Sequence, residues 1–271
     1  MKSFEIMEAI LGWLFSSEEE EKHILIWLAY FMMFMAFCSF VTLLKENVPY
    51  GRYTSSKYGF PVHVKFAWFV QELPAILVPF LLIVSTPSSK IFMMPNQLII
   101  GMYVCHYIHR SLVYPFLIRG GKPTPFVSFA LAFVFCIYNG YMQIRHLSHY
   151  AVYPEDWLTH PCFILGSLLW LWGWLVNMCS DHILRNLRKP GETGYKIPRG
   201  GMFEYVSGAN FLGEIIEWAG FALAAQSAQS LAFSIFTTVV LTSRAFSHHK
   251  WYLEKFEDYP KNRKALIPFL L

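Results

Sequence analysis

Seven times along this chain the charges thin out for about the length of a membrane crossing. Ile24 to Leu44 holds no charged residue at all, and about 20 helical residues are enough to cross the hydrocarbon core. Comparable runs lie at about 66–86, 97–118, 126–144, 161–180, 202–224 and 227–243. The third, fifth and last are expected to continue as helices past the lipid, the fifth to about 187 and the last to about 257. In lipid the backbone must satisfy its own hydrogen bonds, so such runs fold as helices. With 55% hydrophobic and 15% charged residues, the reading is an all-α, polytopic membrane protein. Its seven transmembrane helices are expected to enclose a cofactor and substrate cavity within one domain, 1–271.

Basic residues set the expected orientation. With the N-terminus outside, one side receives Lys45, Arg52, Lys57, Arg119, Lys122, Arg188, Lys189, Lys196, Arg199 and the basic C-terminal tail. The other side receives Lys2, Lys22, Lys90 and Arg145 with the acidic head. Cytoplasmic loops carry the excess of Lys and Arg, which places the C-terminus inside. Glu5, Glu8 and the Glu18–Glu21 run, with no small-residue cleavage site, argue against a signal peptide. No basic block is interleaved with aromatics, so no nucleic-acid partner is expected. The five cysteines form no CxxC, and the ten histidines lack paired-ligand spacing; neither a disulfide framework nor a metal site is expected.

The apolar runs are not uniformly apolar. Tyr103, Tyr107, Arg110 and Tyr114 recur at steps of three and four, as do Asn177, Asp181, Arg185 and Arg188. Asn210, Glu214 and Glu217 make a third such stripe, and Arg244, His248 and Tyr252 a fourth. These steps put each set on one helix face. Ionisable groups at membrane depth are costly unless they face a protein-lined site, so the stripes are expected to share one polar pocket.

Each motif has a plainer reading. Gln71-Glu72-Leu-Pro lies inside a greasy run; a carboxyl there can be neutral and donate a hydrogen bond, or it can merely specify helix packing. Tyr107 beside a carboxyl is a competent donor to a carbonyl oxygen that gains charge, whereas Tyr103 and Tyr114 also suit an interfacial belt. Arg185 and Arg188 suit a phosphate-bearing cofactor by their forked geometry, or they snorkel to lipid headgroups. The Pro- and Gly-rich segment Lys189-Pro-Gly-Glu-Thr-Gly-Tyr-Lys-Ile-Pro-Arg-Gly-Gly breaks helix on the same side and has the make-up of a binding loop. G-x-G-x-x-G and βαβ patterning are missing, so a dinucleotide would have to be held by helices and loops.

Several long runs resemble the steroid 5α-reductase family. They are Asn210-Phe-Leu-Gly-Glu-Ile-Ile-Glu-Trp218, Arg244-Ala-Phe-Ser-His-His-Lys-Trp-Tyr252 and Phe256-Glu-Asp-Tyr-Pro-Lys-Asn-Arg263-Lys-Ala-Leu-Ile-Pro-Phe. Ser180-Asp-His-Ile-Leu-Arg-Asn-Leu-Arg-Lys-Pro-Gly-Glu192, Gln71-Glu-Leu-Pro and His106-Tyr-Ile-His-Arg110 are similar to that family as well. The likeness runs from about 65 to the C-terminus. It implies a seven-span membrane enzyme that takes NADPH from the cytosolic side and reduces the Δ4 double bond of a 3-oxosteroid, with hydride to C5. Carried over by position, Glu72 and Tyr107 are the catalytic pair at the 3-keto oxygen, with Gln71 and Arg110 beside the substrate. Asn177, Asp181, Arg185, Arg188, Asn210, Glu214, Arg244, His248, Tyr252 and Arg263 are implied around NADPH, with Tyr195, Lys196 and Arg199 over its phosphates. Arg119-Gly-Gly-Lys122 departs from the family in the spacing of its basic residues and is given no role.

The resemblance implies a steroid arriving from the bilayer, a monomer, and the endoplasmic reticulum in a eukaryote or the inner membrane in a bacterium. The alternatives are a related enoyl-CoA or polyprenol reductase, a membrane methyltransferase using S-adenosylmethionine, and a non-enzymatic sterol-binding protein. An acyl-CoA reader would need a second basic cluster, and none stands out. The arginines at the cytoplasmic boundary favour a phosphate-rich cofactor over S-adenosylmethionine.

Overall fold

The computed structural model describes residues 15–86, 88–189 and 191–271 together with Ala9 and Gly12. Lys2, Glu5 and Glu8 of the acidic head, and with them the expectation about a signal peptide, lie outside the described residues. Among the described residues the chain forms seven helices, joined by loops and by one two-residue ladder. Five of the helices are long and apolar enough to cross a membrane.

Helix α1 is Glu18–Leu43. The Ser17 hydroxyl caps it, accepting from the Glu20 N–H at 3.2 Å, and its first turn is acidic, as the helix dipole favours. Helix α2, Val64–Ser85, breaks at Leu73 because Pro74 brings no N–H to the helical ladder. Helix α3 runs Met94–Ile108, widens into a π turn at His109–Val113 and ends as Tyr114–Leu117. Pro115, which cannot donate, sits just past that turn. Helix α4 is Phe126–Tyr150, its last turn again π. Helices α5, α6 and α7 are Pro161–Arg185, Ala209–Ala225 and Ala228–Lys255. Strands β1 (Pro61–Val62) and β2 (Thr124–Pro125) pair antiparallel and tie the start of α2 to the start of α4.

The run expected at 202–224 is α-helical only from Ala209, after a short 3-10 turn at Gly201–Glu204. Gly200 and Gly201, both at positive φ, turn the chain first. Tyr205 to Gly208 then give their backbone groups to the C-terminal tail: Ser207 N–H donates to the Lys264 carbonyl at 2.8 Å, Gly208 N–H to Ala265 at 3.0 Å. A segment committed to that pairing is not free to be helical.

Helices α5 and α6 pack antiparallel with their backbones in contact. Gly166 and Gly173 on α5 face Gly220 and Gly213 on α6. A Cβ at Gly166 would stand 2.5 Å from the Ala224 nitrogen, and one at Gly213 would stand 2.8 Å from the Gly173 carbonyl oxygen. Only glycine permits that approach, and small residues commonly serve this end between membrane helices. Large apolar side chains such as Trp27, Phe37 and Leu131, each more than 60% exposed, cover the outside of the bundle and suit a lipid surround.

One ion pair is buried at the start of α1. Arg145 donates through Nε and Nη2 to the two oxygens of Glu21, both at 2.8 Å, and through Nη1 to Thr86 Oγ1 at 3.0 Å. Tyr141 and Tyr150 donate to the same carboxylate at 2.6 and 2.5 Å.

Candidate active site

The break in α2 places Gln71 and Glu72 against α4. Gln71 Nε2 donates to Glu72 Oε1 at 3.4 Å, and the Cys136 thiol of α4 lies 3.6 Å from Glu72 Oε2. One turn further along α4, Asn139 Nδ2 donates to the hydroxyl oxygens of Tyr103 and Tyr107, each at 3.5 Å. Residues three apart share a helix face, so Cys136 and Asn139 draw the Glu72 carboxyl and the Tyr107 hydroxyl onto one side of α4. The Tyr107 ring is fixed by Tyr103 at 4.7 Å, His106 at 5.0 Å and Trp218 at 6.0 Å between centroids. Behind it, His106 Nδ1 and Glu217 Oε1 are 2.7 Å apart and fully buried.

A second cluster joins three of the four stripes. Arg110, from the π turn of α3, donates to Asp181 of α5 at 3.0 Å and to Glu214 of α6 at 3.3 Å. Asn177 Nδ2 donates to the Asn210 carbonyl at 2.9 Å and to Glu214 at 3.4 Å. Arg110, expected beside the steroid, therefore bonds to Asp181 and Glu214, two residues that the resemblance implies around NADPH. Its guanidinium lies over Trp68 and Tyr114 at 4.9 and 5.0 Å.

The fourth stripe, on α7, meets aromatics from the loop before α2. Arg244 lies 3.9 Å over the Tyr50 ring and 4.7 Å over Phe211. His248 lies between Phe211 and Tyr53, and Tyr252 stacks on Tyr259. Arg52 donates to the Tyr252 hydroxyl at 3.2 Å, with its guanidinium 4.2 Å over Trp251 and 5.4 Å over Tyr195. Arg263 is buried and donates to the Pro198 carbonyl at 3.1 Å. In the loop after α5, Arg188 reaches the Gly194 carbonyl at 3.4 Å, and Lys196 pairs with Glu192. The Lys196 ammonium and the Lys189 N–H hold the Glu192 carboxyl below its ordinary pKa. Arg199 lies 4.0 Å from Glu204. Arg119 donates to Asn186 at 2.9 Å in an exposed position.

Buried N–H groups of Arg52, Arg185 and Arg263 have no hydrogen-bond partner among the described residues. Leaving such groups unpaired is costly, and a bound anion is the ordinary remedy. This end of the bundle therefore fits the phosphates of a nucleotide, which guanidinium forks suit. Two hollows, of about 330 and 410 Å³, open beside Gly120 and beside Met202. Neither is lined by a residue of the clusters described above.

The sequence reading missed Asn139, Cys136 and Arg52. Asn139 and Gln143 carried a legible signal, an i, i+4 amide pair inside an apolar run. Cys136 and Arg52 carried none beyond their residue type.

A sequence profile of the family described as 3-oxo-5-alpha-steroid 4-dehydrogenase matches residues 122–271. The rat (Rattus norvegicus) 3-oxo-5-alpha-steroid 4-dehydrogenase 1 is 55% identical over 254 residues, covering 94% of this chain and 98% of its own. The human (Homo sapiens) type 1 protein is 50% identical over 250 residues, covering 92% and 96%. The pig (Sus scrofa) type 2 protein is 50% identical over 227 residues, covering 83% and 89%.

Proposed function

The chain belongs to the 3-oxo-5-alpha-steroid 4-dehydrogenase family, the steroid 5α-reductases, and from that premise we propose how its residues divide the reaction. The activity is NADPH-dependent reduction of the Δ4 double bond of 3-oxosteroids. NADPH, when bound, supplies the hydride taken up at C5. As the enone becomes an enolate, charge gathers on the 3-oxygen. The Tyr107 hydroxyl donates to that oxygen, and Glu72 in its neutral form is the second donor. Gln71 holds the Glu72 carboxyl in place and lines the steroid pocket. A proton then closes the enolate at C4.

At the other end Asn177, Asp181, Asn210 and Glu214, bound into one network with Arg110, take the polar groups of the nucleotide's nicotinamide half. Arg185, Arg188, Arg244, His248, Tyr252 and Arg263 take its phosphates and adenosine, with Tyr195, Lys196 and Arg199 as the cover. The observation that carries this division is the pairing of Cys136 with Glu72 and of Asn139 with Tyr107 on one face of α4. It brings an acid and a phenol together while leaving the arginine-rich end separate.

All seven helices cross the membrane and enclose the chamber between the two clusters. The N-terminus lies outside or in the lumen, and the C-terminus and Pro/Gly loop lie in the cytoplasm, as the basic residues direct. The protein works as a monomer and receives its steroid from the bilayer.

Purified protein should consume NADPH when given a 3-oxo-Δ4-steroid and not when given a 2-enoyl-CoA; the opposite preference overturns the substrate assignment. Tyr107→Phe should lower kcat by about 10²–10³, the weight of one oxyanion donor, while NADPH still binds. Turnover near wild type in that variant removes Tyr107 from the chemistry.

A further inference from the structure

We propose that Asn139 is a positioning residue that fixes the direction in which the Tyr107 hydroxyl points its proton. The inference rests on the role just given to Tyr107. It begins at a group whose polarity is beyond question, the backbone carbonyl of Gln229 in the first turn of α7, which can only accept. Gln143 Nε2 lies 2.8 Å from that oxygen and 3.2 Å from Asn139 Oδ1. The carbonyl demands a donor, so the Gln143 nitrogen faces it. The same NH₂ then demands an acceptor in Asn139, so Oδ1 faces back. The Asn139 nitrogen must therefore face the two tyrosines.

That end of the amide has two hydrogens and no lone pair to offer. It lies 3.5 Å from the hydroxyl oxygens of both Tyr103 and Tyr107. Such long contacts are usual for a catalytic group without its substrate. Each phenol oxygen accepts, and each phenol proton is turned away from Asn139. With Asn139 excluded as an acceptor, the Tyr107 proton is left with the neighbouring Tyr103 oxygen or the side toward Glu72, where the steroid ketone is placed. Asn139 and Gln143 are buried, so no bulk water competes to reverse the sequence. A hydroxyl free to rotate would spend part of its time donating elsewhere. This chain of amides, anchored on a carbonyl, takes Asn139 away as an acceptor and so favours the ketone, and catalysis gains most from dipoles oriented before the charge appears.

The test is a double-mutant cycle with Tyr107→Phe, read by kcat and KM for a 3-oxo-Δ4-steroid and by the Kd of NADPH from fluorescence titration in detergent. Asn139→Ala should lower kcat about tenfold, the weight of one hydrogen bond, with KM and the NADPH Kd little changed. Asn139→Asp presents an acceptor where a donor stood and captures the phenol proton, so its kcat should fall further than that of Asn139→Ala. In the Tyr107→Phe background neither change should cost anything more. Should the buried acid of Asn139→Asp prevent folding, seen as lost NADPH binding, Gln143→Met takes its place. That variant removes the anchor at similar volume and should couple to Tyr107 in the same way. Losses that multiply with that of Tyr107→Phe, or Asn139→Asp no slower than Asn139→Ala, overturn the inference. If Tyr107→Phe turns over normally, the catalytic assignment fails instead.

Discussion

Glu21 and Arg145 are matched bond for bond, whereas Arg52, Arg185 and Arg263 bury nitrogen atoms with no hydrogen-bond partner among the described residues, the Glu204 carboxylate coming only within 3.9 Å of Arg263. The first group sits at the start of α1 and the others past its far end, where Arg52 meets α7. Both regions take guanidinium groups out of water. At the first, two arginine nitrogens and two phenols fill the carboxylate completely, and a third nitrogen finds Thr86. At the second the cations rest on aromatic faces and carbonyls, with N–H groups to spare. A closed network holds helices together; an open one waits for a ligand. In the proposed reading the same residue type is structural in one place and ligand-binding in the other, and the unmet hydrogen bonds are what separate them.

The largest expected effect breaks the closed network. Arg145→Leu strands the Glu21 carboxylate and should cost about 3–5 kcal/mol of stability, seen as an earlier thermal unfolding midpoint in detergent. Adding Glu21→Leu removes the stranded charge and should restore most of it; a double variant as unstable as the single one would remove the ion pair from the account. Next comes the ligand at the open end. NADPH at about 100 times its Kd should stabilise the folded protein by about 2.7 kcal/mol, and the Arg145→Leu variant should gain as much. Gly213→Ala, which forces α5 and α6 apart, should cost about 1–3 kcal/mol as overpacking does and should weaken NADPH binding together with steroid turnover. Unchanged kinetics in that variant would show that the close approach serves packing alone. The smallest effect is on Arg185→Met. Without ligand its stability should stay within about 0.5 kcal/mol of wild type, while the stabilisation by NADPH shrinks. A large loss of ligand-free stability there would put Arg185 with the closed network.

The helices were legible because apolar length is a local property. The start of α6 was not, because Tyr205 to Gly208 are claimed by Lys264 and Ala265, some sixty residues later. Periodicity told which face of α3 was polar and placed Tyr107 and Arg110 on it. It did not tell that the π turn at His109–Val113 would carry Arg110 to Asp181 and Glu214. The Glu21–Arg145 pair escaped for the same reason: both were read as flanking charges on one side of the membrane. Their partnership depends on α1 lying beside α4. Asn139 was readable and passed over, since an amide in an apolar run draws less notice than an arginine.

The closed network also has a history in each molecule. Glu21 belongs to α1, and Arg145 follows 124 residues later. At a synthesis rate of roughly 5–20 residues per second, the nascent α1 waits on the order of ten seconds before its counter-ion leaves the ribosome. Until then the carboxylate has only water and headgroups for partners, so α1 gains this tie only when α4 arrives. Defects in this pair will therefore be felt first during biogenesis, as less protein reaching the membrane intact, with the molecules that do arrive catalysing normally.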